Sequence, residues 1–232
     1  VRGFLPGGVG GGEVSLAVII PTRNPENLAA SSAAVRKHEP SALIVVVDDG
    51  LAKRPPACVL VPGVKPFIYA RNCNLGIKAA LKDGTCRGVV LLNDDAILES
   101  PGGFTLLAEA CDADPNIGII GCTTNVTGQR LQWRQDVGLR DVSDIAFVGV
   151  YIPRRTLESV GLLDERYCKD YGVEDRDYCM ATKQAGLRVC VHDGCYLDHG
   201  SLVSTFRGDP RAPKSFAQNL ELFRQKWGTV HV

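Results

Sequence analysis

Two adjacent carboxylates follow a strongly apolar segment in the middle of the chain. Residues 89–92 are Val-Val-Leu-Leu, a run typical of a strand buried on both faces, and Asn93, Asp94 and Asp95 come directly after it. Neighbouring acids at a strand end repel each other unless a cation lies there, and Mg²⁺ or Mn²⁺ prefers carboxylate oxygen while keeping positions open for phosphates. The alternative is a solvated turn that caps the next helix, since Asp and Asn are common N-cap residues. These residues alone do not decide between the two.

Two more acidic pairs occupy comparable places in the chain. Asp48 and Asp49 end the apolar segment 42–47, and Glu174 and Asp175 open a predicted helix. In open α/β sheets, ligands bind outside the carboxyl ends of the strands. Acids at several converging ends therefore favour a cleft for a nucleotide and a metal ion.

Strands and helices alternate through the first half of the chain, which is typical of an α/β protein with a mainly parallel, twisted central sheet flanked by helices. Apolar runs predict strands at residues 16–20, 42–47, 58–61, 89–92, 117–120, 147–152 and 187–191. Helical patterns are predicted at residues 26–38, 70–82, 102–112, 155–160, 174–185 and 214–227. Pro21 is expected to break the first strand, and residues 123–146 are polar and irregular.

The charge balance does not require a nucleic-acid or membrane partner, although it leaves a local charged patch open. The chain has 26 Lys and Arg against 26 Asp and Glu, so its formal net charge is zero and it has no overall electrostatic attraction for nucleic acids or anionic membranes. No apolar run approaches the roughly 20 residues of a membrane helix, so no integral membrane segment is expected. Nine cysteines without a C-x-x-C pair are typical of small core residues in a reducing compartment, and we expect a cytoplasmic protein. The sequence does not indicate an oligomeric state.

Seven short motifs along residues 16–205 resemble, in order, those of the family 2 glycosyltransferases, including the rhamnosyltransferase-like members. The motifs are Val-Ile-Ile-Pro-Thr-Arg-Asn at 18–24, Val-Val-Asp-Asp-Gly at 46–50, Ala-Arg-Asn-x-x-Leu-Gly at 70–76, Leu-Leu-Asn-Asp-Asp at 91–95, Gly-Leu-Leu-Asp-Glu-Arg-Tyr at 161–167, Glu-Asp-x-Asp-Tyr-Cys at 174–179 and His-Gly-Ser at 199–201. Each motif is weak alone, but their common order is specific. The resemblance implies a GT-A fold, a single α/β domain with a Rossmann-like nucleotide-binding half and an acceptor half.

The same resemblance divides the chain. Residues 1–14 are Gly-rich and are expected to be flexible. The glycosyltransferase domain is predicted at 15–205, with a nucleotide-sugar-binding half at 15–122 and an acceptor and catalytic half at 123–205. The remaining segment, 206–232, is expected to place a C-terminal helix against the domain.

The resemblance also implies roles in nucleotide binding. Asp48 would accept a hydrogen bond from the nucleobase, and Pro21, Thr22 and Arg23 would border the base. Arg71 would lie near the base and the diphosphate, because a cation at a helix start is disfavoured by the helix dipole unless an anion is bound there. A surface arginine is the alternative.

The metal site would form around the D-x-D position of the family, which Asn93, Asp94 and Asp95 fill. Asp95 is the main predicted ligand of Mn²⁺ or Mg²⁺, Asp94 would contact either the ribose or the metal, and Asn93 would contact the nucleotide. His199 matches a histidine that completes metal coordination in some members. Its alternative is a hydrogen-bonded structural histidine.

Asp175 is the predicted catalytic base, with Glu174 beside it. Sugar transfer to a hydroxyl needs a group that takes the acceptor's proton, and a carboxylate on the side of the sugar away from the diphosphate implies inversion. Acids at a helix start are also common without catalysis. Asp177 and Trp133 are weaker candidates for acceptor contacts; Asp177 points roughly 200° around the helix from Asp175, and Trp133 could instead plug a loop.

These roles describe an inverting, metal-dependent glycosyltransferase, a hexosyltransferase class of enzyme, with a nucleotide-diphosphate-sugar donor and UDP favoured. The acceptor is a hydroxyl on a glycan, a lipid-linked sugar, a protein or modified DNA, and residues 123–146 and those after 205 do not identify it. The alternatives are a sugar-phosphate nucleotidyltransferase, which the segment 21–25 disfavours because it lacks a Gly-rich basic loop, and a catalytically silent nucleotide-sugar-binding domain.

Overall fold

The computed structural model describes residues 16–51, 53, 55–167, 172–204 and 212–228. The Gly-rich segment predicted to be flexible, 1–14, lies outside these residues, as does part of the C-terminal segment.

Nine strands and six α-helices occur within the described ranges. The strands are β1 (Ala17–Thr22), β2 (Leu43–Asp48), β3 (Val59–Pro62), β4 (Gly88–Leu92), β5 (Ile97–Leu98), β6 (Ile117–Thr124), β7 (Leu139–Asp141), β8 (Gly149–Pro153) and β9 (Arg188–Asp198). The helices are α1 (Pro25–His38), α2 (Tyr69–Ala80), α3 (Gly103–Ala113), α4 (Arg154–Ser159), α5 (Glu174–Gln184) and α6 (Ala212–Trp227). A 3₁₀ turn covers Arg130–Gln132.

All nine strands form one sheet, with the order β3-β2-β1-β4-β8-β6-β9-β5 and with β7 paired to β9. The pairings from β3 to β4 are parallel, whereas β8 runs antiparallel to both β4 and β6. Strand β9 is parallel to β6 and antiparallel to β5 and β7. The sheet is therefore parallel in the first half of the chain and mixed in the second, because β8 enters between β4 and β6 in the opposite direction.

The core lies on both faces of this sheet, because successive side chains of a strand point to opposite faces. Val18 and Ile20 of β1 pack in the cluster that includes α1 and α3, and Ala17 and Ile19 pack with α2, α4 and α5. Gly76 lets α2 approach closely: a Cβ built there would lie 2.3 Å from Cγ2 of Ile19. The near-continuous apolar runs in the sequence thus belong to strands covered on both sides.

Strand ends differ most from the sequence-based expectations. Pro21 does not break β1, which continues to Thr22; proline is tolerated near a strand end, and β4 pairs with β1 only as far as Ile19. Strand β9 runs beyond the predicted 187–191, because a register shift against β6 accommodates the extra residues 193–195. The segment expected to be irregular also holds the end of β6, the 3₁₀ turn and β7.

The eight described cysteines are free thiols, and seven of them are buried. None of the described helices has the combination of length and apolar character that crossing a membrane requires.

Candidate active site

A cavity of about 550 Å³ opens where the carboxyl ends of β1 and β4 meet. Because these strands are parallel neighbours, the residues that follow them lie at the same edge of the sheet. The start of α5 and the residue after β9 face them from the second half of the chain. The predicted site residues that line the cavity are Pro21, Asn93, Asp94, Asp95, Glu174, Asp175 and His199.

Asp94 is held by Thr22. The Thr22 hydroxyl at the end of β1 donates a hydrogen bond of 2.6 Å to Oδ2 of Asp94, which is almost fully buried. Burial raises the pKa of Asp94 to about 6, and the hydrogen bond from Thr22 opposes that rise. Thr22 therefore fixes one oxygen of Asp94 and does not itself line the cavity.

Asp95 and His199 form a close pair across the cavity wall. Nε2 of His199 lies 3.1 Å from Oδ1 of Asp95, and Nδ1 lies 2.7 Å from the carbonyl oxygen of Val126. A carbonyl only accepts, so Nδ1 carries a proton. Nε2 donates to the carboxylate when the ring is a cation and presents its lone pair to the carboxylate when the ring is neutral. Burial works to raise the pKa of Asp95, but the hydrogen bond and charge of His199 outweigh it and the pKa is lowered.

This pair fits a divalent cation. Two acceptors face each other unless the imidazole is protonated or a cation lies between them. Carboxylate oxygen suits Mn²⁺, and imidazole is a common ligand of transition metals. The backbone carbonyl on Nδ1 is the usual support of a metal-binding histidine. No group of three or more His, Cys, Asp or Glu side chains is arranged to hold a metal in the part of the chain that the structure describes. Asp95 and His199 would thus leave several coordination positions to a ligand and water.

Glu174 and Asp175 are the first two residues of α5. They follow Gly172 and Val173, which both have left-handed backbone with φ of 86°. Burial, reinforced by the neighbouring carboxylate of Asp175, raises the pKa of Glu174 well above its usual range. Burial also raises the pKa of Asp175, although the backbone N–H of Arg176, 2.7 Å from Oδ1, stabilises its anion. The cavity thus holds a pair of carboxyls that resist ionisation, which is common where proton transfer occurs.

The structure does not bring the predicted nucleobase residues Asp48 and Arg71 to the cavity wall. Oδ1 of Asp48 accepts hydrogen bonds from the backbone N–H groups of Gly50 (2.8 Å) and Leu51 (2.7 Å) in its own loop. The guanidinium of Arg71 donates to the carbonyl oxygens of Val64, at 2.9 Å, and Pro66. Both side chains shape loops beside the cavity.

Arg23 is exposed and lies outside the cavity lining. Its charge stabilises the anion of Asp94, so it contributes to the field at this edge of the sheet.

Asp177 also lies outside the cavity, where it anchors the C-terminal helix. Its carboxylate accepts hydrogen bonds from the Tyr167 hydroxyl (2.7 Å), from Nζ of Lys226 (2.8 Å) and from Nε1 of Trp227 (2.7 Å). The side chain is buried and its oxygens are used by these donors. The acceptor contact predicted for Asp177 therefore has no geometric support.

Trp133 is 46% exposed and follows the 3₁₀ turn, away from the cavity lining. The guanidinium carbon of Arg130 lies 5.6 Å from its ring centroid, so a cation covers part of the ring. The structure does not join Trp133 to the carboxylates of the cavity.

Several cavity residues were not predicted from the sequence. Tyr69 and Phe147 line the cavity and touch, with the Tyr69 hydroxyl 3.2 Å from the Phe147 carbonyl oxygen. Arg176 lines it beside Asp175 and forms an ion pair of 3.4 Å with Asp144. Phe216, from α6, completes the wall. The position of Arg176 next to two acids was a usable signal, whereas the aromatic residues reach the cavity through packing between distant segments.

Comparison with known proteins identifies the fold class. No protein-family model matches the chain, and no curated protein sequence matches it. Among solved structures, the chain is similar to the crystal structure of GalNAc-T7 with UDP, GalNAc and Mn²⁺, with a TM-score of 0.69 and 14% sequence identity. The match covers 90% of this chain and 48% of that one, so the chain spans about half the length of its structural relative. The predicted fold class is confirmed: the chain has a GT-A fold, a central nine-stranded sheet flanked by helices.

Proposed function

We propose that the protein is an inverting, metal-dependent glycosyltransferase that moves a sugar from a UDP-sugar to a hydroxyl acceptor. The observation that carries the proposal is the meeting of two sets of groups in the lining of one cavity: the Asp95–His199 pair and the Glu174–Asp175 pair. The fold likeness to GalNAc-T7, solved with UDP, GalNAc and Mn²⁺, supports the choice of donor and metal. The sequence motifs favour family 2.

The donor would lie along the carboxyl ends of β1 and β4. Asp95 and His199 would hold Mn²⁺ or Mg²⁺ together with the diphosphate of the donor, because such ions take few protein ligands when phosphates share the site. The bound metal would supply a Lewis acid that stabilises negative charge on the leaving diphosphate. Asn93, and Asp94 with one oxygen fixed by Thr22, would contact the ribose side of the nucleotide.

Asp175 would act as the base. The acceptor oxygen attacks the anomeric carbon, the bond from that carbon to the diphosphate oxygen breaks, and the hydroxyl proton passes to the Asp175 carboxylate. An attack from the side opposite the diphosphate inverts the anomeric centre. Glu174, whose pKa is raised more by burial, would remain protonated beside it and keep the repulsion between the two carboxyls low.

Thermal stability with and without ligands tests this proposal. UDP with Mn²⁺ should raise the Tm of the full chain, because a ligand that binds only the folded state stabilises it by mass action. Asp95→Asn should abolish the shift, and the matched control Asp112→Asn, an exposed residue paired with Arg87, should keep it. Absence of any shift with UDP or another nucleoside diphosphate plus metal would refute the proposal.

A further inference from the structure

The C-terminal helix α6 is joined directly to the cavity wall. The side-chain amide of Asn219 donates a 3.0 Å hydrogen bond to the carbonyl oxygen of Gly172. Phe223, one turn further along, is buried against Tyr167 and Val173 in a small third core. Gly172 and Val173 immediately precede the two cavity acids, so α6 braces the turn that presents them.

A second anchor holds the end of the same helix. Lys226 and Trp227 both donate to the buried carboxylate of Asp177 in α5, and Lys226 also pairs with Asp164 at 2.9 Å. Helix α6 is therefore fixed at two points, at Asn219 and at Lys226 with Trp227.

Among the described side chains of α6, Phe216 lines the cavity. It lines the wall and is 37% exposed, although it lies only three residues before the Asn219 anchor on the same helix. Its ring packs over Gly172: a Cβ built on Gly172 would lie 2.9 Å from the ring atom Cδ2. Since Gly172 is two residues before Glu174 and three before Asp175, an open aromatic surface adjoins the carboxyl pair.

Trp133 offers the other exposed aromatic ring near this half of the chain. It is outside the cavity lining, and Arg130 lies over its ring. Among the residues that the structure describes, Phe216 is the one exposed aromatic side chain that lines the cavity together with the acids.

We propose that Phe216 forms the platform of the acceptor subsite and that the acceptor is a pyranose. One face of a pyranose ring presents C–H groups, which contact the negative face of an aromatic ring favourably, while its edge carries hydroxyls. With that face on Phe216, an edge hydroxyl reaches toward the carboxylate of Asp175, which takes its proton. This inference rests on the proposed function, because it assigns the acceptor of that same reaction.

Binding of simple glycosides tests this assignment without knowledge of the natural acceptor. With the full chain saturated by UDP and Mn²⁺, methyl glycosides of glucose, galactose, mannose and rhamnose are titrated, and saturation-transfer NMR with irradiation of the aromatic protons identifies the sugar protons in contact. We expect at least one glycoside to bind at millimolar concentration with transfer confined to the C–H groups of one ring face.

Three variants decide which residue carries the contact. Phe216→Leu keeps apolar bulk for the packing of α6 but removes the aromatic face, and should weaken glycoside binding by about fivefold to tenfold. Phe216→Trp should retain binding, and the matched control Trp133→Leu should leave it unchanged. All three should keep the Tm shift with UDP and Mn²⁺, because Phe216 is outside the strand-end residues proposed to hold the donor.

The failures of the two proposals are distinguishable. If the wild-type chain shows no nucleotide shift, the glycosyltransferase proposal fails. If the nucleotide shift is present but no glycoside binds, or binding is lost in Trp133→Leu and kept in Phe216→Leu, the acceptor assignment alone is overturned.

Discussion

Glu174 and Asp175 experience opposing influences in the first turn of α5. The helix dipole favours their anions, while burial and mutual repulsion favour the protonated forms. The second influence dominates, because both pKa values are raised. The pair is therefore poised to accept a proton closer to neutral pH than ordinary carboxyls.

Asp175→Asn separates donor binding from transfer. The amide cannot accept the acceptor's proton, so transfer should fall by roughly 10²- to 10⁴-fold, while the Tm shift with UDP and Mn²⁺ stays as in the wild type. A radiolabelled-sugar transfer assay beside the thermal measurement checks both. Transfer at near wild-type rate would mean that another group is the base.

The pH dependence of the transfer rate should reflect the protonation of Asp175. Because burial raises the pKa of Asp175, the base is lost to protonation at a pH above the ordinary value of about 3.9. The rate should therefore fall on the acid side well before that value is reached. A profile of kcat/KM that stays flat down to pH values near 4 would contradict this assignment.

Glu174→Gln should stabilise the fold at neutral pH. The folded-state pKa of Glu174 is raised, so its favourable contribution is complete below the unfolded value of about 4.3 and is lost as the pH rises through the folded pKa. Replacing the acid with a neutral amide removes that loss, and the Tm at pH 8 should rise by about 2–4 °C, equivalent to about 1 kcal/mol. The gain should shrink toward pH 4, and Glu158→Gln, on the exposed side of α4, should show none.

At the scale of elements, α3 depends on a residue from another helix. Its N-cap is Gly102, which has no side chain to offer, and the carboxylate of Glu39 fills that role from the end of α1. Oε1 accepts from the backbone N–H groups of Phe104 (2.5 Å) and Thr105 (3.0 Å), and Oε2 accepts from the Thr105 hydroxyl at 2.7 Å. This cap links two helices on one face of the sheet.

Glu39→Ala should lower the free energy of unfolding by about 2–3 kcal/mol, because it removes a buried cap and leaves backbone donors without a partner. Urea denaturation followed by circular dichroism measures the change. The control Glu109→Ala, at an exposed position of α3, should lie within about 0.5 kcal/mol of the wild type. Equal effects of the two substitutions would refute the capping role.

The strands and helices of the first half were predictable within a few residues, because apolar runs bounded by Pro, Gly and Asp report local structure directly. Strands β5 and β7 were not, since two or three residues leave no periodicity. The strand-end acids of the site were predictable for the same local reason. Phe216 and Tyr69 were not, because their place in the cavity depends on how α6 and α2 pack against distant segments.

Only some of the residues whose roles were taken from the resemblance lie together in the structure. Asp95, Asp175 and His199 lie around one cavity, whereas Asp48 and Asp177 are engaged in local and interhelical hydrogen bonds. A motif specifies the residue type at a position, but the neighbours that claim its hydrogen bonds come from the tertiary structure. For Asp177, two of the three donors, Lys226 and Trp227, lie in the last described helix, about 50 residues away.

At the scale of the whole molecule, the continuous sheet and the anchored α6 predict a single cooperative unfolding transition. In Trp133→Phe, Trp227 is the only tryptophan left and reports on α6 through its hydrogen bond to Asp177. Its fluorescence change in urea should coincide with the loss of circular dichroism. A separate, earlier fluorescence transition would show that α6 detaches before the sheet unfolds.

The position of β8 has a consequence for how the chain is made. Strand β4 pairs with β1 on one side, and its other side is covered by β8, whose residues follow about 60 positions later. While the ribosome synthesises those residues, the emerging chain presents β4 as an open, wholly apolar edge that invites pairing with other chains. The nascent protein is therefore most vulnerable to aggregation between the completion of β4 and the arrival of β8, and a chaperone that shields strand edges would help it most in that interval.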